Sequence, residues 1–262
     1  MPEGHTIHRI AQDHAEYFAG QKMIVLSPQG RFASEAKKLS GLTLDSTDAH
    51  GKHLFYLWSD GQIIHVHLGL YGKFRLHNNP PPEPRGAVRM RMIGEHRSFD
   101  LNGPNCCELI DRRQYDAIRE RLGEDPLRTD ADPDVVWNRI KHSRSTIGSV
   151  MMNQSIMAGV GNVYRAEILF LLSINPERPA NEISRDEFDR MWELTVELLH
   201  LGLKHNRIIT NLSMAGKTSL GRLRAGERLN IYKKPVCPRC DADVYYWESA
   251  NRTIYACDRC QV

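Results

Sequence analysis

From the N-terminus to about residue 120, apolar positions fall in short runs bounded by turn formers. Phe55 to Trp58, Ile63 to His67, Val88 to Met92 and Cys107 to Ile110 are each apolar or alternating, the signature of β-strands. Ser59-Asp60-Gly61 sits between two of these runs and predicts a hairpin turn. Ahead of them, Ile7, Ile10, Ala11 and Phe18 form a partial helical stripe, so a helix is expected from about His5 to Phe18. The segment His77 to Arg85 contains Asn-Asn-Pro-Pro-Pro-Glu-Pro and is expected to be a loop, because proline removes backbone donors.

The pattern changes at Leu122-Gly123-Glu124-Asp125-Pro126-Leu127, where turn formers and acids run on to Asp132-Pro133-Asp134. A linker is expected here. Helical spacing follows. Ser184-Arg185-Asp186-Glu187 fits a capping box, and Phe188, Trp192, Val196, Leu199 and Leu203 then repeat as a core-facing stripe.

The chain has 262 residues, 41% of them hydrophobic, with 35 Lys+Arg against 32 Asp+Glu. This composition can build a core and excludes disorder as the main state. No apolar run reaches the roughly 18 residues of a membrane span. The opening MPEGHTIHRI lacks the apolar core of a signal peptide, so an intracellular protein is expected. Charge is unevenly placed. Lys204, Arg207, Lys217, Arg222, Arg224, Arg228, Lys233 and Lys234 lie in one stretch against a single acid, Glu227. Alone, such a run reads as a solvated loop; beside a metal-binding finger it reads as a phosphate-contacting surface.

The cysteines point to that finger. Cys106 and Cys107 are adjacent, but Cys237-Pro-Arg-Cys240 and Cys257-Asp-Arg-Cys260 are two matched pairs at a spacing that lets four thiolates surround one Zn²⁺. Between them, Val244 to Trp247 and Thr253 to Tyr255 read as the strands of a β-hairpin. Four protein ligands leave no open position on the metal, so this zinc is expected to be structural.

Taken in order, Met1-Pro2-Glu3-Gly4, the Leu122–Leu127 junction, Gly159-Val160-Gly161-Asn162-Val163-Tyr164-Arg165-Ala166-Glu167, and the four-cysteine finger with Arg252 ahead of Cys257 resemble the formamidopyrimidine-DNA glycosylase / endonuclease VIII family of DNA repair enzymes. The resemblance covers nearly the whole chain. It implies an α+β multi-domain fold: an N-terminal catalytic β-sandwich domain with flanking helices over 1–122, a linker over 123–134, a helical domain with a helix-two-turn-helix module over 135–230, and a β-hairpin zinc finger over 231–262. It implies a bifunctional DNA glycosylase/AP lyase of base excision repair working by β,δ-elimination, one structural zinc, no organic cofactor, damaged double-stranded DNA as partner, a monomer, and a cytoplasmic, nucleoid-associated location. A lyase acting mainly on abasic sites and a catalytically silent DNA binder are the alternatives.

The family's site residues map onto this chain one by one. As a residue, Pro2 reads as a helix-start proline; the resemblance makes its secondary amine, exposed once Met1 is removed, the nucleophile that forms a Schiff base with the sugar C1′. Glu3 reads as a carboxylate at a helix start, and by resemblance as the general acid/base. Lys52 would contact the DNA backbone near the lesion. Asn162 reads as a helix cap or, with its neighbouring amides, as a phosphate ligand. Arg252 resembles the second phosphate clamp. His67, Leu70 and Tyr71 lie in His67-Leu68-Gly69-Leu70-Tyr71-Gly72, which resembles the loop that fills the gap left by an extruded nucleotide. Gly4 leans to the endonuclease VIII branch, hence to oxidised pyrimidines. Thr6 replaces a second glutamate, His5 a proline, Gly69 a filling side chain and Asn153 a common aspartate.

Overall fold

The alternating runs of the N-terminal half pair into two antiparallel sheets. In a computed structural model, which describes residues 2–214, 219–249 and 252–262, the chain divides into two units: residues 1–3 with 7–121, and residues 4–6 with 122–262. The first unit holds β1 (Ile24–Leu26), β2 (Leu44–His50), β3 (His53–Trp58), β4 (Ile63–His67), β5 (Lys73–Asn78), β6 (Val88–Ile93), β7 (Arg97–Asn102) and β8 (Cys106–Ile110). Their orders are β2-β3-β4-β8 and β1-β6-β7-β5. Alternate residues line the space between the sheets: Leu54, Tyr56, Ile64 and Val66 join Met90, Met92, Phe99 and Leu101 in one cluster, to which the helix α1 (Gly4–Phe18) adds Ile7, Ala11 and Phe18. The other face of β3, β4 and β8 carries Phe55, Ile63 and Ile110, covered by Tyr115 of α3 (Arg112–Arg121). Burial on both faces explains why Phe55 to Trp58 is a continuous apolar run and why Ile63 to Val66 is buried throughout, with His65 as its one polar member. The expected turn at Ser59-Asp60-Gly61 joins β3 to β4, with Gly61 donating to Trp58 O at 2.9 Å. The proline-rich loop is shorter than expected, because His77 and Asn78 still pair with Ser98 and Arg97.

A histidine lies inside this core. His14 stacks on Phe99 at 4.4 Å and its Nδ1 hydrogen-bonds Tyr56 Oη at 2.7 Å. Complete burial pushes its pKa down to about 3, so it is neutral there.

The second unit is helical, with α4 (Pro133–Ile140), α5 (Ile147–Met152), α6 (Asn162–Leu171) and α7 (Arg185–His205). The expected linker, 123–134, belongs to this unit: Gly123 donates to Gln154 O at 2.8 Å, Ala158 donates to Glu124 O at 2.8 Å, and Leu127 joins the helical core. Asp132 caps α4 and Pro133 opens it. The capping box at Ser184 and Glu187 is formed, and the forked contact of Arg178 with Glu187 holds that carboxyl down to about 2. The buried line of α7 is offset from the expected stripe. Phe188, Met191, Thr195, Leu199 and Gly202 face inward, while Trp192, Val196 and Leu203 are half-buried at its flank. The chain ends in a hairpin of β9 (Tyr245–Ser249) and β10 (Arg252–Ala256), matching the two strands expected between the cysteine pairs. No helix among the described residues is long and apolar enough to cross a membrane.

Candidate active site and nucleic-acid interface

Pro2 and Glu3 immediately precede α1. Pro2 is half-buried, and Glu3 is fully buried at the N-cap position in extended backbone, where its side chain makes no capping bond. A buried carboxylate that serves no local cap is held there for another reason. Met1, whose removal the nucleophile assignment needs, lies outside the described residues.

Lys52 sits in the two-residue turn between β2 and β3, where His50 pairs with His53. Gly51 has φ +58°, the backbone that a glycine at the first turn position supplies. The half-buried lysine is therefore held at a tight hairpin tip.

The loop after β4 is built to display side chains. Leu68 is buried, Gly69 has φ +65°, and Gly72 donates to Leu68 O at 3.0 Å. A Cβ on Gly72 would lie 2.3 Å from Leu68 O, so only glycine closes this turn. Between the glycines Leu70 is 46% and Tyr71 86% exposed. Two adjacent large apolar side chains held out by a constrained turn mark a contact surface.

His67 closes β4, paired with His53 on one side and Cys106 on the other. Its Nδ1 is buried with no hydrogen-bond partner among the described residues. Burial, then the neighbouring His65 and Lys52, lowers its pKa. His53 lies 4.9 Å from it, ring to ring, and is pushed down to about 3 by burial and then by His65, His67, Arg121 and His50. Sequence reasoning singled out His67 but missed its surroundings. His65 Nε2 meets His53 Nδ1 at 2.8 Å, and His65 Nδ1 donates to Glu108 Oε1 at 2.8 Å. His65-Val66-His67 on a strand puts both imidazoles on one face, a period-two signal that was available.

In the second unit, Asn162 is not the helix cap. Gly161 is the N-cap and Asn162 the first residue of α6, 4% exposed. Asn162 Nδ2 donates to Thr253 O at 2.9 Å, and Asn162 Oδ1 accepts from Arg165 Nη2. Arg165 also donates to Thr253 O at 3.2 Å. Asn162 is thus tied to the residue after Arg252, whose own side chain is exposed at the start of β10. The structure brings these two expected phosphate contacts onto one junction of α6 with the hairpin. Arg165 is a member that sequence reasoning did not assign. Lys217 of the basic stretch lies outside the described residues.

The four cysteines converge. Their Sγ atoms all lie within 4.8 Å, with Cys237 to Cys260 at 3.8 Å and Cys240 to Cys257 at 3.5 Å, and none is in a disulfide. The edge of a tetrahedron of thiolates around zinc is about 3.8 Å. The donor set and spacing fit a metal ion.

Comparison with known proteins bears on both units. The family model described as the formamidopyrimidine-DNA glycosylase N-terminal domain matches residues 1–117, and that described as the formamidopyrimidine-DNA glycosylase H2TH domain matches residues 122–213. The chain is 43% identical to a protein named Endonuclease 8 1 from Mycobacterium tuberculosis, over all of both chains. It is 27% identical to a formamidopyrimidine-DNA glycosylase of Thermomicrobium roseum, over 91% of this chain and 87% of that one. Among solved structures, the complex between the Lactococcus lactis Fpg and an abasic site containing DNA superposes with a TM-score of 0.82 at 22% identity, covering 99% of each chain, which bears on the fold.

Proposed function

The chain belongs to the formamidopyrimidine-DNA glycosylase family, and on that premise we propose that it is a bifunctional DNA glycosylase and abasic-site lyase of base excision repair, acting on oxidised pyrimidines in double-stranded DNA. The observation that carries this reading is the fully buried, non-capping Glu3 directly after Pro2. A carboxylate in that place is positioned to move protons for a neighbouring amine nucleophile.

Pro2, once N-terminal, attacks C1′ of the damaged nucleotide as the base leaves. A secondary amine gives an iminium with no second proton to lose, so the cation persists and acidifies C2′–H. Loss of that proton expels the 3′ phosphate, and a second elimination expels the 5′ phosphate. Glu3 protonates the sugar ring oxygen and later shuttles protons. Lys52 steadies the backbone at the lesion, and Asn162 and Arg252 grip phosphates. His67 touches the backbone at the root of the loop, whose Leu70 and Tyr71 fill the gap left when the nucleotide turns out. Similarity to Endonuclease 8 1 supports the pyrimidine preference. Cys237, Cys240, Cys257 and Cys260 would hold one Zn²⁺, which would supply structural order to the finger rather than chemistry. The protein acts as a monomer on DNA in the cytoplasm.

The test is trapping. Purified protein confirmed to start at Pro2 is mixed with abasic-site DNA and borohydride, and the adduct is mapped by mass spectrometry. A reduced adduct on Pro2 is expected. An adduct on a lysine instead, or none, would overturn the nucleophile assignment.

A further inference from the structure

We propose that His65 Nδ1, Cys106 Sγ and Glu108 Oε1 form a second metal site, separate from the four-cysteine cluster, for a borderline divalent cation of the Zn²⁺ class. β4 and β8 are neighbouring antiparallel strands, with His65 directly opposite Glu108 and Cys106 opposite His67. Residues two apart on a strand share a face, so the three side chains leave the sheet on the same side. Their ligand atoms all lie within 4.8 Å of one another. His65 Nδ1 is 2.8 Å from Glu108 Oε1 and 3.6 Å from Cys106 Sγ. In tetrahedral zinc with bonds of about 2.0 Å to nitrogen and 2.3 Å to sulfur, the nitrogen–sulfur edge is about 3.5 Å. The Cys106 thiol also hydrogen-bonds Glu108, so imidazole, thiol and carboxylate converge on one point, where a cation would take the place of the shared protons.

The donor set chooses the ion. One thiolate, one imidazole and one carboxylate suit zinc-like cations and disfavour calcium and magnesium, which demand oxygen. His53 supplies the supporting contact. With a cation on His65 Nδ1, the Nε2 proton is donated to His53 Nδ1, 2.8 Å away, which fixes the tautomer and the ring plane. Glu108 is 53% exposed and Cys106 half-buried, so solvent reaches the fourth position and the ion exchanges. Bound there, it ties β4 to β8 at the root of the loop that displays Leu70 and Tyr71.

The test is an equilibrium titration of the full-length protein, its finger already loaded, with Zn²⁺ against a chromophoric chelator. Co²⁺ in parallel reports a thiolate ligand by near-ultraviolet charge transfer. One added equivalent is expected in the wild type. Binding should weaken by about tenfold or more in Cys106→Ser, His65→Asn and the partly exposed Glu108→Gln. The added charge-transfer band should vanish in Cys106→Ser, with circular dichroism unchanged. No added equivalent in the wild type, or wild-type affinity in folded Cys106→Ser and Glu108→Gln, would overturn the proposal.

Discussion

In the N-terminal unit, His53, His65, His67, Cys106 and Glu108 share one sheet face, and His67 keeps a buried ring nitrogen without a partner among the described residues. In the C-terminal unit one carboxylate, Glu167 of α6, is completely buried and fully answered. It accepts from Thr210 Oγ1 at 2.5 Å, from Asn230 N and Nδ2 at 2.7 and 3.0 Å, and from Ile231 N and Tyr232 N at 2.8 Å each. Glu167 has a donor for each of its oxygens, whereas on the sheet face His67 Nδ1 has none among the described residues. Glu167 is architecture: it fastens the segment before the finger to α6, where Phe170, Ile231, Cys237 and Cys257 share a small core. The sheet face retains coordination capacity, as a region kept for chemistry does.

Removing Glu167 is the most severe way to break this comparison. Glu167→Ala leaves three backbone N–H groups at a largely buried site without their acceptor, each costing about 1–3 kcal/mol, while Thr210 Oγ1 turns to Arg228 O at 3.3 Å. The expected loss is about 5 kcal/mol or more in urea unfolding, accompanied by loss of amide protection over 228–237. Glu167→Gln, which keeps the shape and one acceptor, should lose less. A cost under about 1 kcal/mol for Glu167→Ala would show that this carboxylate is not the fastener.

The N-terminal unit has its own weakness, which is acid. His14 has a folded pKa of about 3 against an ordinary 6.5. Below pH 6.5 the unfolded chain takes up a proton that the fold refuses, so stability is complete above that pH and drains away as pH falls toward 3. The slope is about 1.4 kcal/mol per pH unit, or about 3 kcal/mol between pH 7 and pH 4. Urea midpoints across that range should fall more steeply in the wild type than in His14→Gln. Equal slopes would remove His14 as the cause. The carboxylates lowered by their arginine partners, Asp100 and Glu187, lose stability with the same sign and remain in both proteins.

What the sequence disclosed and what it hid divide along the same line. Helix α1, the β3–β4 turn, the capping box at Ser184 and the cysteine pairs are written in neighbouring residues, where spacing and turn chemistry act directly. The sheet order is not local. His53, His65 and Glu108 meet because β3, β4 and β8 are neighbours, and nothing near Glu108 announces His65. Glu167 was in view inside the Gly159–Glu167 motif, but its five donors come from residues 210 and 230–232. The stripe on α7 was read one flank away from its true centre, since a helix packed on several sides buries Thr195 and Gly202 as readily as leucines. Gly202 is required there because a Cβ would come within 2.1 Å of Tyr164 Oη.

The smallest effect on stability should come from the residues proposed to fill the gap left by an extruded nucleotide. Leu70 and Tyr71 are exposed, and their turn is set by Gly69 and Gly72. Replacing both with alanine removes no core contact, so urea stability should stay within about 0.5 kcal/mol of wild type. In duplex DNA, however, turning a nucleotide out leaves a gap that side chains at this tip would fill, and unstacking costs a few kcal/mol. Base removal from a lesion-bearing duplex should therefore fall by about tenfold, equivalent to roughly 1.4 kcal/mol of lost support. Cleavage of an abasic site in a single strand, which has no stack to open, should be nearly unchanged. Equal losses on both substrates would assign the tip to general DNA binding, and no loss on either would leave its exposure unconnected with catalysis.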